Sequence, residues 1–145
     1  MKIIGVANDH AGYGFKLKIA DYLQQKGYTV KDFGSNTAES TDYPDYAHPL
    51  ANAVSAGECD WGFVICCTGN GINMTVNKYA GIRAALCWLP EISRLARAHN
   101  NANICSLPAN FISEEVMYCI INEFLNTQFE GGRHQRRVEK ITNCL

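Results

Sequence analysis

The residues able to do chemistry gather in four short stretches of a 145-residue chain: Asn8-Asp9-His10, Cys66-Cys67-Thr68-Gly69-Asn70-Gly71, His99-Asn100, and Arg133-His134 with Arg136 and Arg137. A free thiol titrates near roughly pH 8.5 and a helix N-terminus lowers that value, so Cys66, at the end of an apolar run, could act as a base or nucleophile. Gly69 and Gly71 can expose backbone N–H groups at the start of a helix, a small nest suited to a developing oxyanion. A lone G-x-G is more often an ordinary strand-to-helix turn. The stretch is not a dinucleotide fingerprint, because Met74 stands at the third glycine position, and no G-K-[ST] makes it a P-loop. His99 and His10 could exchange protons near neutral pH, although a histidine after a helix is commonly a capping residue. Arg133 and Arg137 share a face if the tail is helical, and paired guanidiniums beside His134 would make a phosphate clamp. The bland alternative for that tail is a solvated terminus.

These residues need a scaffold, and the pattern of apolar positions supplies one. KIIGVA (2–7) reads as a strand, Phe15 to Lys26 as a helix stopped by Gly27, and YTVKDF (28–33) as a second strand. A loop then runs to Tyr43, Pro44 and Asp45, and a helix is expected from about Tyr46 to Ala56. WGFVICC (61–67) is continuously apolar, as a strand covered on both faces would be. If it continues through Cys67, that side chain points away from Cys66. One or two helical turns follow over 72–78, a strand over 82–87, a helix from Pro90 to Ala98, a strand over 103–107, and a helix from Glu114 to about Asn126 capped by Ser113. Strands alternating with helices predict a single domain over 1–145. Its class is α/β: a doubly wound, three-layer open sheet of five parallel strands, Rossmann-like or flavodoxin-like, with the basic tail 131–145 completing the site. Ligands of such folds sit at the carboxyl ends of the strands, near the point where strand order reverses.

Composition narrows the function classes. Thirteen Lys and Arg against 14 Asp and Glu give a formal charge of −1, which offers no field for nucleic acid. No stretch approaches the roughly 20 apolar residues of a membrane span and the N-terminus turns polar too early for a signal peptide, so a cytoplasmic location is expected. The seven cysteines are odd in number and several lie in apolar runs, favouring reduced thiols, with Cys59, Cys87, Cys105, Cys119 and Cys144 as inert core residues. With no C-x-x-C and no H-x-x-x-H, neither metal nor other cofactor is expected.

Taken together, NDHAG (8–12), DYPDYA (42–47), C-x-T-G-x-G (66–71), NKYAGIRAALC (77–87), RAHNNAN (97–103) and EGGRHQRRV (130–138) resemble the type B ribose-5-phosphate isomerases, grouped with the galactose-6-phosphate isomerase subunits. The resemblance implies cofactor-free interconversion of D-ribose 5-phosphate and D-ribulose 5-phosphate in the pentose phosphate pathway. It implies Cys66 as the base moving a proton between C2 and C1 through a cis-enediol, His99 as the ring-opening acid/base, and Asp9 near the sugar. Thr68 and the backbone of Cys67, Gly69, Asn70 and Gly71 would hold the enediolate oxygen. His10, Arg133, His134 and Arg137 would hold the phosphate, and Tyr43 and Asn100 would line the sugar site. A second subunit is implied to complete the site, in a homodimer or a dimer of such dimers. This chain departs from the family pattern twice: Cys67 stands where glycine is usual, and Asn110 where a phosphate-contacting arginine is usual. Those departures keep two alternatives open, an isomerase of a six-carbon sugar phosphate such as allose or galactose 6-phosphate, and a sugar-phosphate binder of low turnover.

Overall fold

The computed structural model describes residues 1–141; the last four positions of the tail, Cys144 among them, lie outside. The elements are β1 (Ile3–Asn8), a 3-10 turn (His10–Gly12), α1 (Tyr13–Gln25), β2 (Thr29–Asp32), α2 (Tyr43–Ser55), β3 (Trp61–Cys66), α3 (Asn70–Val76), β4 (Ala84–Leu86), α4 (Pro90–Asn100), β5 (Ile104–Pro108), α5 (Glu114–Asn126) and α6 (Arg133–Ile141). The five strands pair in parallel in the order β2-β1-β3-β5-β4. None of the helices is long and apolar enough to cross a membrane among the described residues.

Alternation along β3 shows why it is wholly buried. Trp61, Phe63 and Ile65 face Ile19 and Leu23 of α1, Ala96 of α4 and the Met117, Ile120, Ile121, Phe124 stripe of α5. Val64 and Cys66 face Leu50, Ala51 and Val54 of α2 and Ile72 and Val76 of α3. Each face of the strand thus meets its own helical layer, and an apolar residue is required at every position. The Ser113 hydroxyl accepts from the Val116 N–H at 3.2 Å and caps α5, as the sequence led us to expect.

Several boundaries differ from those expected. α2 begins at Tyr43 rather than Tyr46, because Asp42 is extended at the N-cap and Pro44 sits in the first turn, where a missing N–H costs no helical bond. The helix after β3 starts at Asn70, two residues early, because Gly69 takes the left-handed conformation (φ 71°) at its N-cap. β3 stops at Cys66, so Cys67 lies outside the strand, half-buried, rather than alternating with Cys66. Cys119 is also corrected: it is exposed on α5, off the inward stripe, while Cys59, Cys87 and Cys105 are buried thiols.

Candidate active site

The strand order reverses between β1 and β3, and this junction is where the carboxyl-edge residues meet. The Asp9 N–H donates to the Ile65 carbonyl at 3.2 Å, tying the turn after β1 to the end of β3. The buried Asp9 carboxylate accepts from the N–H groups of Ala11 (3.0 Å) and Gly12 (3.2 Å), so one of its oxygens holds the turn that presents His10. The His10 Nδ1 stands 3.1 Å from the Thr41 nitrogen and 3.3 Å from the Thr41 carbonyl oxygen, and the His10 backbone N–H donates to the Thr41 hydroxyl at 3.2 Å, so the residue is fixed against the loop before α2. The loop behind it is anchored by Lys16. That side chain is 1% exposed, donates to the Ser35 carbonyl at 2.6 Å and pairs with Asp32 at 2.9 Å. Nothing in the sequence distinguished Lys16 from a solvated helix lysine, since its partners lie 16 to 20 residues away.

Cys66, 4% exposed, ends β3 with its side chain on the α2/α3 face. Beyond it the Thr68 hydroxyl accepts from the Asn70 N–H at 3.2 Å, and the buried Ser106 hydroxyl donates to the Gly69 carbonyl at 2.7 Å. These contacts lock the turn so that the amides opening α3, which have no intrahelical partner, face the carboxyl edge. Two glycines shape this turn. A Cβ on Gly69 would stand 2.5 Å from Leu86 Cδ1 in a backbone conformation that side chains rarely adopt. A Cβ on Gly71 would stand 2.5 Å from Tyr43 Cζ, so the missing side chain is what lets the Tyr43 ring lie against the start of α3. Beside this turn, Thr68, Asn70, Leu86, Trp88, Pro108 and Phe111 line an open cavity of about 260 Å³. The two departures from the family pattern prove to be neighbours, for the Asn110 N–H donates to the Cys67 carbonyl at 3.1 Å.

The remaining predicted residues are not there. His99 and Asn100 end α4, which runs antiparallel to the sheet and delivers them to its amino edge just before β5. β3 and β5 are paired from Gly62↔Ile104 to Cys66↔Pro108, so the edge carrying His99 and the edge carrying Cys66 are about 13 Å apart at roughly 3.3 Å per residue. His134 joins His99: their rings stack with centroids 4.2 Å apart and planes 6° from parallel. Glu130, whose N–H donates to the Ala98 carbonyl at 3.0 Å, brings Oε2 to 3.7 Å from His99 Nε2 and 3.5 Å from His134 Nε2. Burial, with His99 and Arg133 nearby, pushes His134 below the usual imidazole range. Arg133 and Arg137 are exposed one turn apart on α6, while His134 and Val138 are buried beneath them. The helical face inferred from their spacing is therefore present. Glu130 was not singled out from sequence, although its four-residue spacing to His134 was the available signal.

The described residues thus carry two clusters of candidate groups at opposite edges of the sheet. The first holds a thiol, a nest of amides and His10; the second holds an imidazole pair and a guanidinium pair.

The model of a family described as Ribose/Galactose Isomerase matches residues 4–141. The ribose-5-phosphate isomerase B of Escherichia coli (strain K12) is 44% identical over 142 residues, 98% of this chain and 95% of that protein. The D-erythrulose-4-phosphate isomerase of Pectobacterium atrosepticum is 42% identical over 142 residues, 97% of this chain and 93% of that protein. Among solved structures, ribose-5-phosphate isomerase B of Clostridium thermocellum is similar with a TM-score of 0.96 at 46% identity, covering 97% of this chain and 95% of that one. That of Mycoplasma genitalium, with bound ribulose-5-phosphate, gives 0.94 at 40% identity, covering 97% and 94%.

Proposed function

Since this chain belongs to the ribose/galactose isomerase family, we propose that it interconverts D-ribose 5-phosphate and D-ribulose 5-phosphate, with Cys66 as the base. The observation that carries the reading is the placement of Cys66 at the reversal of strand order, with the amides opening α3 and the Thr68 hydroxyl beside it. The ribulose-5-phosphate bound to the Mycoplasma genitalium relative supports the choice of sugar.

In the reaction His99 gives a proton to the ring oxygen while the anomeric hydroxyl gives one up, which returns to His99 through water, so the sugar opens to its aldehyde with no net change in protons. The Cys66 thiolate takes the C2 proton, and the electron pair moves through C1 to the carbonyl oxygen to give a cis-enediolate. The amides of Cys67 to Gly71 and Thr68 hold that oxygen, stabilising charge that exists only after proton removal, the kind of interaction that raises rate. The proton returns at C1 while the O2 proton passes to O1, so product and substrate have the same atoms. Asp9 supports the sugar and fixes His10 on the phosphate, with Arg133, His134 and Arg137 closing around it and Tyr43 and Asn100 lining the sugar.

Because the two clusters face opposite edges, each is a half-site, and a complete site joins Cys66 of one copy to His99, Asn100 and the α6 cations of another. A two-fold homodimer makes two such sites at once. Trp88, Leu89 and Phe111, 49%, 50% and 70% exposed beside the first half-site, are large apolar side chains of the sort a subunit contact covers.

The test is ketose formation by EDTA-treated protein on ribose 5-phosphate, allose 6-phosphate, galactose 6-phosphate and erythrose 4-phosphate. A clear preference for the pentose is expected; preference for another sugar overturns the substrate assignment, and binding without turnover overturns the enzyme reading. Asn110→Arg is expected to lower the KM for ribose 5-phosphate about tenfold, the lower end of the worth of one added charge-assisted hydrogen bond. An unchanged KM would show that the α6 cations already satisfy the phosphate.

A further inference from the structure

We propose that His99, Glu130 and His134 form a binding site for a divalent transition-metal ion of the zinc class, and that Zn²⁺ held there inhibits the enzyme. Only the inhibition rests on the isomerase reading; the binding stands on the geometry of the three side chains.

Their donor atoms, two imidazole nitrogens and one carboxylate oxygen, all lie within 4.8 Å of one another. Zinc bonds of about 2.0–2.2 Å in a tetrahedron place neighbouring ligand atoms about 3.3 Å apart. The two nitrogen–oxygen separations, 3.5 and 3.7 Å, are close to that value, and both are longer than an ordinary nitrogen–oxygen hydrogen bond. Glu130 thus faces both imidazoles at ion-pair distance, which is also near the spacing that a shared ion requires. Each imidazole lone pair lies in its own ring plane, so two rings stacked 6° from parallel reach one ion only when the His99 ring rotates out of the stack. The His99 and Glu130 side chains, 35% and 54% exposed, have room for that movement, while His134 at 8% is the fixed anchor.

Two imidazoles and a carboxylate suit zinc and its neighbours rather than magnesium or calcium, which prefer oxygen alone. Three protein ligands also leave one position open for water. The donors come from the last turn of α4, the link before α6 and its first turn, so 31 residues separate His99 from Glu130 and no short metal motif appears in the sequence. A metal bound to His99 occupies the nitrogen lone pair that ring opening uses.

EDTA-stripped protein should be titrated with Zn²⁺ alone against a chromophoric chelator, alongside the Glu130→Gln and His134→Gln variants with their Tm recorded. One ion per chain is expected, with affinity lowered at least about tenfold in each variant. Co²⁺ loaded in place of zinc should show visible bands of a four-coordinate ion without the near-ultraviolet band of a cobalt–thiolate bond. Isomerase activity should fall as zinc is added and return with EDTA, and Glu130→Gln should need about tenfold more zinc for the same inhibition. Unchanged affinity in both folded variants, or a thiolate band pointing to the cysteines, would overturn the site. Zinc bound at the three residues with activity unaffected would overturn the inhibition. Failure of the isomerase reading would show separately, as stripped wild-type protein that turns over none of the sugar phosphates while the zinc titration still reports binding.

Discussion

Cys66→Ala is expected to lower kcat by about 10³-fold, the scale of a lost general base, while the Kd for ribose 5-phosphate changes little. The phosphate contacts assigned to His10, Arg133 and Arg137 do not involve the sulfur, so binding and proton transfer should separate. The check is twofold: single-turnover ketose formation, and washout of deuterium from substrate labelled at C2. Washout is the sharper measurement because it reports proton abstraction even when later steps are slow. Cys66 rather than its neighbour is expected to matter because β3 ends at Cys66, with the side chain toward α2 and α3, and Cys67 lies beyond the strand. Wild-type washout by the alanine variant would remove Cys66 as the base. The fold should tolerate the change, since a single buried sulfur is lost from a layer still packed by Leu50, Ile72 and Val76.

The second large effect concerns the two half-sites. If the proposed dimer forms, the Cys66→Ala and His99→Asn variants, each nearly inactive alone, are expected to regain activity when unfolded together and refolded as a mixture. In a randomly mixed dimer population half the molecules are heterodimers, and each has one intact and one doubly altered site, so about a quarter of wild-type activity should return. If Cys66 and His99 served the same site from the same chain, every site in the mixture would carry a lesion and no activity would appear. Because His99 and Cys66 stand at opposite ends of paired β3 and β5, the outcome separates the alternatives cleanly.

Much of the fold was legible because its signals are local. A wholly apolar WGFVIC marks a strand covered on both faces, Ser113 marks a helix start, and the inward stripe from Met117 to Phe124 has helical spacing. The misplaced starts of α2 and α3 share a cause: Pro44 and Gly69 look like loop residues, yet each suits a helix terminus, one for its fixed φ and the other for its left-handed conformation. Apolar neighbours in sequence place Cys119 in the core, but a helix turns 100° per residue, and in the structure this position off the stripe faces water.

The candidate site divides in the same way. The sequence alone determined the chemistry on offer, a thiol before a glycine-rich turn, scattered histidines and a basic terminal helix, because residue type and short spacing specify what a side chain can do. Only the tertiary structure decided which of these groups meet. β5 inserts between β3 and β4, and α4 runs back antiparallel to the sheet, so His99 reaches the amino edge while Cys66 stays at the carboxyl edge. The chain after α5 returns across α4, held by the bond from Glu130 to Ala98, and so assembles His99, Glu130 and His134 from segments with no common motif. Strand order and long-range return are set by packing of whole layers, whose energy is spread over many buried contacts, and no short window of sequence contains it.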